Sequence, residues 1–309
     1  MPRSRFRAAG AAPRTLALAA GLALSSWVAC AASGDESPAP TSEPPAAAGT
    51  PAGPGRTDPL WELGVASLAA WQPAYPGSDE HLSQARLLPW ANYRGRILRV
   101  ENGMVGLRAL RTPRTEWGLS GAFAFGGGAS GTGARRGMPG IGSLVEFGPM
   151  LRVNLGPLDA GPEEARATRL ELPLRAVLDV SDHFALRGWS FEPRLAQTVW
   201  AQGPSRLTAS VSALVGDRSL NRVFYEVTPD QATALRPAFD ARAGLVATRL
   251  GLLFNHNLND RWRLFAFAGG ETVRGAANVA SPLVRSRQDM GAGLGVTWSF
   301  WHSEAQAKD

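Results

Sequence analysis

The feature that most limits what this chain can fold into is a two-residue alternation that recurs along most of it. In 168–180, Leu170, Leu172, Leu174, Ala176, Leu178 and Val180 alternate with Arg169, Glu171, Arg175 and Asp179. Successive side chains of an extended chain point to opposite faces, so the segment is predicted to be a strand with one apolar and one charged face. In 290–300, Met290, Ala292, Leu294, Val296, Trp298 and Phe300 alternate with Gly291, Gly293, Gly295, Thr297 and Ser299. Val145, Phe147, Leu151, Val153 and Leu155 stand against Glu146, Arg152 and Asn154, and Leu207, Ala209, Val211, Ala213 and Val215 against Arg206, Thr208, Ser210 and Ser212. Trp117, Leu119, Phe123 and Phe125 repeat the pattern against Glu116 and Ser120, as do Trp189, Phe191, Leu195 and Val199 against Glu192, Arg194 and Thr198. The segments 84–93, 97–109, 240–254 and 262–273 alternate less cleanly and predict bulges or long twisted strands.

Two architectures produce this alternation. A secreted sandwich or barrel turns the apolar face inward; a transmembrane barrel turns it to lipid and the polar face to its lumen. Length separates them, because several segments run for ten or more residues, whereas soluble strands average about five or six and tilted membrane strands need roughly 9–11. Trp61, Trp71, Trp117, Trp189, Trp200, Trp262 and Trp298 lie near segment ends, where interfacial girdles sit. After residue 30 no apolar run is long enough for a membrane helix, and 35 Gly and 23 Pro in 309 residues argue against long helices. The expectation is an all-β, transmembrane antiparallel β-barrel of about twelve strands, with ten as the alternative, in one domain over 59–300.

The N-terminus reads as an address. Arg3, Arg5, Arg7 and Arg14 precede the apolar run 15–29 and the small residues around Cys30, the layout of a secretory signal peptide over 1–31. Cleavage after Ala31 leaves a cysteine-free chain; cleavage before Cys30 leaves a lipid-modified cysteine. The following 32–58 is rich in Pro and Ala and nearly free of large apolar residues, which predicts a disordered arm serving as spacer or tether. Residues 301–309 form a short tail.

The formal charge of +6 falls to +2 once 1–31 is removed, because that segment holds four arginines and no acid, leaving 28 basic against 26 acidic residues. These are scattered singly, which excludes a nucleic-acid footprint. Gly126, Gly128 and Gly131 satisfy a dinucleotide fingerprint after a strand, but 132–140 cannot supply the required helix. His81, His183, His256 and His302 lie in no nucleophile motif and at no metal-ligand spacing. No catalytic, cofactor-binding or metal residues are therefore expected. The candidates that remain face the lumen: Glu146, Arg152, Arg169, Glu171, Arg175, Asp179, Glu192, Arg194, Arg206 and Arg249. Charges kept out of lipid pair with one another as a structural network or line a narrow polar pore.

The opening 61–65 (WELGV), 71–80 (WQPAYPGSDE) and 88–95 (LPWANYRG) resembles the start of the MltA-interacting protein (MipA/OmpV) family of outer-membrane proteins. The segments 224–229 (FYEVTP) and 236–240 (RPAFD) are similar to that family's late tyrosine-containing stretch, and 293–300 (GLGVTWSF) to its terminal strand, carried by Leu294, Val296, Trp298 and Phe300. The turn Tyr75, Pro76, Gly77 and Ser78 is the more specific motif, as a fold-setting loop or a contact surface. The resemblance covers about 61–300. It implies a noncatalytic barrel among outer-membrane lipid in a Gram-negative bacterium, a scaffold joining a lytic transglycosylase to a penicillin-binding protein. A porin-like channel for small solutes or ions is the alternative.

Overall fold

The computed structural model describes residues 59–94, 98–101, 104–112, 114–124, 133–157 and 167–304. The signal segment 1–31 with Cys30, the arm 32–58, the glycine-rich stretch 126–131 and residues 305–309 lie outside them.

The alternating segments are strands: β1 (Trp61–Pro73), β2 (His81–Arg94), β3 (Leu98–Glu101), β4 (Met104–Arg111), β5 (Thr115–Ala124), β6 (Leu144–Asn154) and β7 (Thr168–Asp179). They continue as β8 (Ala185–Phe191), β9 (Arg194–Gln202), β10 (Ser205–Gly216), β11 (Gly244–Asn257), β12 (Trp262–Thr272) and β13 (Gln288–His302). All pairings are antiparallel, and β1 pairs with β13 from Glu62↔His302 to Trp71↔Ala292, so the sheet closes on itself. Between β7 and β10 lie both β8 and β9, interrupted at Glu192 and Pro193; among the described residues thirteen strands thus share twelve places around the ring. The ladder of β13 continues through Trp301 and His302, two residues past the alternating row that ends at Phe300.

Apolar side chains stand outside. Leu63, Leu174, Val199, Leu250, Leu252 and Leu294 are all exposed, while Glu62, Asn92, Arg175, Glu192, Thr208 and Glu271 are buried. That is the reverse of a soluble barrel, and an apolar belt of this extent is stable only against lipid. Exposed tryptophans mark one rim of the belt: Trp117, Trp200, Trp262, Trp298 and Trp301 cluster at the end that carries the termini. Trp262 stacks on Trp298 at 5.6 Å and Trp61 meets Trp301 edge-on at 5.2 Å. No described helix is long and apolar enough to cross a membrane; the outward apolar belt belongs to the strands.

At the terminal-bearing rim several turns are short and self-satisfied. The Asn259 side chain accepts from the amides of Arg261 and Trp262, and Thr112 from those of Arg114 and Thr115. The opposite rim carries long segments that fold together as a cap. Its α-helix, α1 (Arg218–Tyr225), begins at an Asp217 cap whose carboxylate accepts from the Leu220 amide at 2.8 Å. Leu220, Phe224 and Tyr225 of α1 pack with Tyr75, Met138, Ile141, Val227, Ala276 and Leu283. The main apolar core of the molecule is therefore this cap and the strand ends beneath it. Gly188 of β8 admits α1: its φ is +141°, and a Cβ there would strike Asp217 and the Leu220 backbone.

Candidate functional site

Inward-facing rows of the strands bring most of the charged residues together. Arg152 lies between Glu116 at 3.6 Å and Glu171 at 3.3 Å, and Arg169 joins the same Glu171 at 3.1 Å. Higher in the lumen, Arg175 pairs with Glu146 at 3.5 Å and donates to Ser120, while Ser190 donates to Glu146. Glu192, at the break between β8 and β9, collects Arg194 at 3.5 Å, Arg249 at 3.3 Å and the Ser212 hydroxyl at 2.8 Å. Arg249 reaches on to Glu271 at 3.2 Å. Near the cap, Asp179 holds Arg187 at 2.7 Å and receives the Ser181 amide. Arg206 shares the inward row of β10 with Thr208 and Ser212. Glu62 and Arg263 close the set at 3.0 Å, with Arg263 over the Trp90 ring. Each carboxylate in this chain of contacts is matched by a guanidinium, as burial demands.

The other inward wall is apolar. Phe265 and Phe267 of β12 lie against Gly295 and Gly293 of β13, filling the space that side chains there would need, and Leu253, Leu68 and Ala70 join them. Leu294, Val296, Trp298 and Phe300 form the opposite, outward row of β13.

Tyr75, Pro76, Gly77 and Ser78 are buried in the cap, where they knit its segments. The Tyr75 hydroxyl donates to the Leu283 carbonyl at 2.8 Å, and the Tyr225 hydroxyl to that of Pro76 at 3.0 Å. Gly77, with φ +89°, turns its carbonyl to the amides of Arg285 and Ser286. Burial pushes the Tyr75 hydroxyl up to about 12, and that of Tyr225 rises for the same reason. Two arginines absent from the sequence-based candidates complete the cap. Arg135 donates to the Phe224 carbonyl and lies over the Tyr75 ring, while Arg236 donates to the carbonyls of Ala134, Arg136 and Gln231. Burial lowers the Arg135 pKa. Both stand in stretches that read as loop, and only Arg236, within the RPAFD motif, carried a signal.

The histidines are dispersed. His81 stacks on Trp71, His183 lies in the exposed turn before β8, and His302 ends β13. His256 accepts or donates one hydrogen bond with Ser205 across the β10–β11 ladder at 2.7 Å, a contact that the sequence spacing of 51 residues conceals. No carboxylate pairs with that imidazole among the described residues, which also hold no group of three or more His, Cys, Asp or Glu placed to cage a metal.

Among solved structures the chain is similar to a bacterial polysaccharide outer membrane secretin, with 13% identity, 80% of this chain and 100% of that one covered, and a TM-score of 0.37. It is similar also to the outer membrane channel DcaP of Acinetobacter baumannii, with 10% identity, 78% and 95% covered, and a TM-score of 0.23. No curated protein matches it. The family model of the MltA-interacting protein MipA matches residues 64–300, from β1 to the last lipid-facing residue of the alternating row in β13, and the chain belongs to that family.

Proposed function

We propose that the protein is a noncatalytic outer-membrane barrel of a Gram-negative bacterium that holds peptidoglycan-remodelling enzymes at its periplasmic rim. The observation that carries this reading is the cap. Its apolar core and its buried tyrosine and arginine hydrogen bonds occupy the end opposite the termini, and the motif segments 75–78, 224–229 and 236–240 are spent on building it. A barrel with both termini in the periplasm then offers wall enzymes the arm 32–58, the tail and turns such as 203–204 and 258–261. The family name points to a lytic transglycosylase as one partner; a penicillin-binding protein, which the family resemblance implies, is the proposed second.

A photocrosslinking residue placed at Gly203 or Arg261, both exposed, tests this in living cells. Adducts with a lytic transglycosylase from these turns, and none from Leu235 on the cap, are expected. Adducts from neither turn contradict it. The second reading, a channel for small solutes or ions, draws on the polar lumen wall and predicts steady conductance.

A further inference from the structure

Four exposed arginines crowd one arc of the cap-bearing rim. Segments 241–248 and 272–288, which lead the chain into β11, out of β12 and into β13, hold Arg242, Arg274, Arg285 and Arg287 and no acidic residue. All four are exposed, and among the described residues none of their guanidiniums meets a carboxylate. Backbone contacts fix them along the arc. The Arg242 amide donates to the Asn278 side chain, the Val273 amide beside Arg274 to the Arg287 carbonyl, and the Arg285 amide to the Gly77 carbonyl on the turn between β1 and β2. Elsewhere on this rim arginines are matched: Arg218 pairs with Asp240 and Arg222 with Glu226, each at 2.7 Å, and Arg187 lies between Asp179 and Asp182. Even with the exposed Asp79 of the β1–β2 turn beside it, the arc stays strongly positive.

What lies beneath the arginines points to the ligand. The outward faces of β11, β12 and β13 align Leu250, Gly270 and Met290 in one row, and Thr248, Thr272 and Gln288 in the next row toward the cap. Leu250 and Met290 are each 65% exposed, the last apolar side chains of the belt before that polar row. Arg287 stands three residues beyond Met290, and Arg274 four beyond Gly270. At the usual strand rise and tilt this is about 7–10 Å along the bilayer normal, the depth of a headgroup layer. Acyl chains that cover Leu250 and Met290 therefore bring their headgroups against the arginines. A guanidinium offers paired N–H donors that match phosphate oxygens, and it keeps its charge at any physiological pH. A nucleic acid or an acidic protein would use the charge but not the belt beneath it. We propose that this arc binds the phosphate groups of a phosphorylated glycolipid, the anionic lipid of an outer membrane's outer leaflet. The identity of the lipid rests on the periplasmic placement of the termini in the proposed function; the phosphate chemistry does not.

Native mass spectrometry of the purified full-length barrel in a nonionic detergent tests the site with bisphosphorylated lipid A, its dephosphorylated form and phosphatidylglycerol. Lipid A should bind at least tenfold more tightly than either of the others. Replacing Arg242, Arg274, Arg285 and Arg287 together by Gln should remove at least tenfold of that affinity, while heat-modifiable gel mobility reports an intact barrel. Arg274→Gln with Arg287→Gln gives a second reading, with a loss of several-fold, should the fourfold variant fail to fold. Arg218→Gln, whose guanidinium is already held by Asp240, should leave the affinity within about twofold. Equal binding of the dephosphorylated lipid or of phosphatidylglycerol, or unchanged affinity in the folded arginine variants, overturns the proposal. The orientation is read separately: Leu235→Cys on the exposed cap should react with a membrane-impermeant maleimide on intact cells. An unlabelled cap would overturn the placement of the termini, and with it the glycolipid as occupant in the cell, even where purified barrel binds lipid A.

Discussion

Arg175 and Leu172 show how one strand serves two solvents. Three residues apart on β7, they face lumen and lipid respectively, and Arg175 keeps only 7% of its side chain exposed while holding Glu146 and Ser120. Leu172→Arg sets a charge against lipid and should cost about 2–4 kcal/mol if it lies near the bilayer midplane. Arg175→Leu should cost about 3–5 kcal/mol, because it strands the Glu146 carboxylate rather than because a pair was strong. Arg175→Leu combined with Glu146→Leu should then recover most of the loss, as read by urea unfolding of the barrel in liposomes. A double variant as unstable as the sum of the single ones would mean that Glu146 has other support. The inward rows were legible from period two alone, since Arg169, Glu171 and Arg175 never share a face with Leu170 or Leu172. The partners were not, because which row meets which depends on register across strands, and no spacing in the chain encodes that Arg249 reaches both Glu192 and Glu271.

The cap is the element where sequence and structure part most. The segments 217–239 and 274–287, broken by Pro229, Pro237, Gly275 and Pro282, fall between the alternating stretches, yet Leu220, Val223 and Phe224 behind Asp217 carry a short helical spacing that the strand pattern overshadowed. Its apolar residues are sequence-distant, so a core assembled from four segments leaves no local period. Two of the three tyrosines, Tyr75 and Tyr225, lie in it, which makes its integrity visible to pH. Tyr75 rises from 10.0 to about 12 on folding, so the neutral hydroxyl is favoured in the cap; its contribution is whole below pH 10.0 and is lost as pH climbs toward 12. At about pH 11, absorbance at the phenolate band should report at most one ionised tyrosine of three in the folded protein, and all three after unfolding. Two or more ionised tyrosines in a folded barrel would show the cap to be loose. A second element-scale test concerns the turn before β8, where His183 and Phe184 hold φ of 50° and 61°. Consecutive positive φ suits Asn-Gly, so His183→Asn with Phe184→Gly should raise the unfolding free energy by about 1 kcal/mol. An unchanged or lower value in the same urea assay would place no strain there.

As a whole the molecule inverts the usual partition. Its outward belt is apolar, one side of its lumen wall is charged and cross-paired, and its principal apolar core sits in the cap and the strand ends beneath it. The sequence displayed the belt because ten-residue alternation and tryptophan placement are local properties. Closure by β1 and β13 was implied only by the need of a membrane sheet to leave no edge. The two proposed functions differ in what they ask of the barrel, since a scaffold works from the rim opposite the cap, whereas a channel requires a continuous path past the cap's core. The direct measurement is the conductance of the purified full-length protein in planar bilayers at neutral pH. A capped scaffold predicts insertion without steady single-channel currents; steady, reproducible currents from the intact barrel would contradict it.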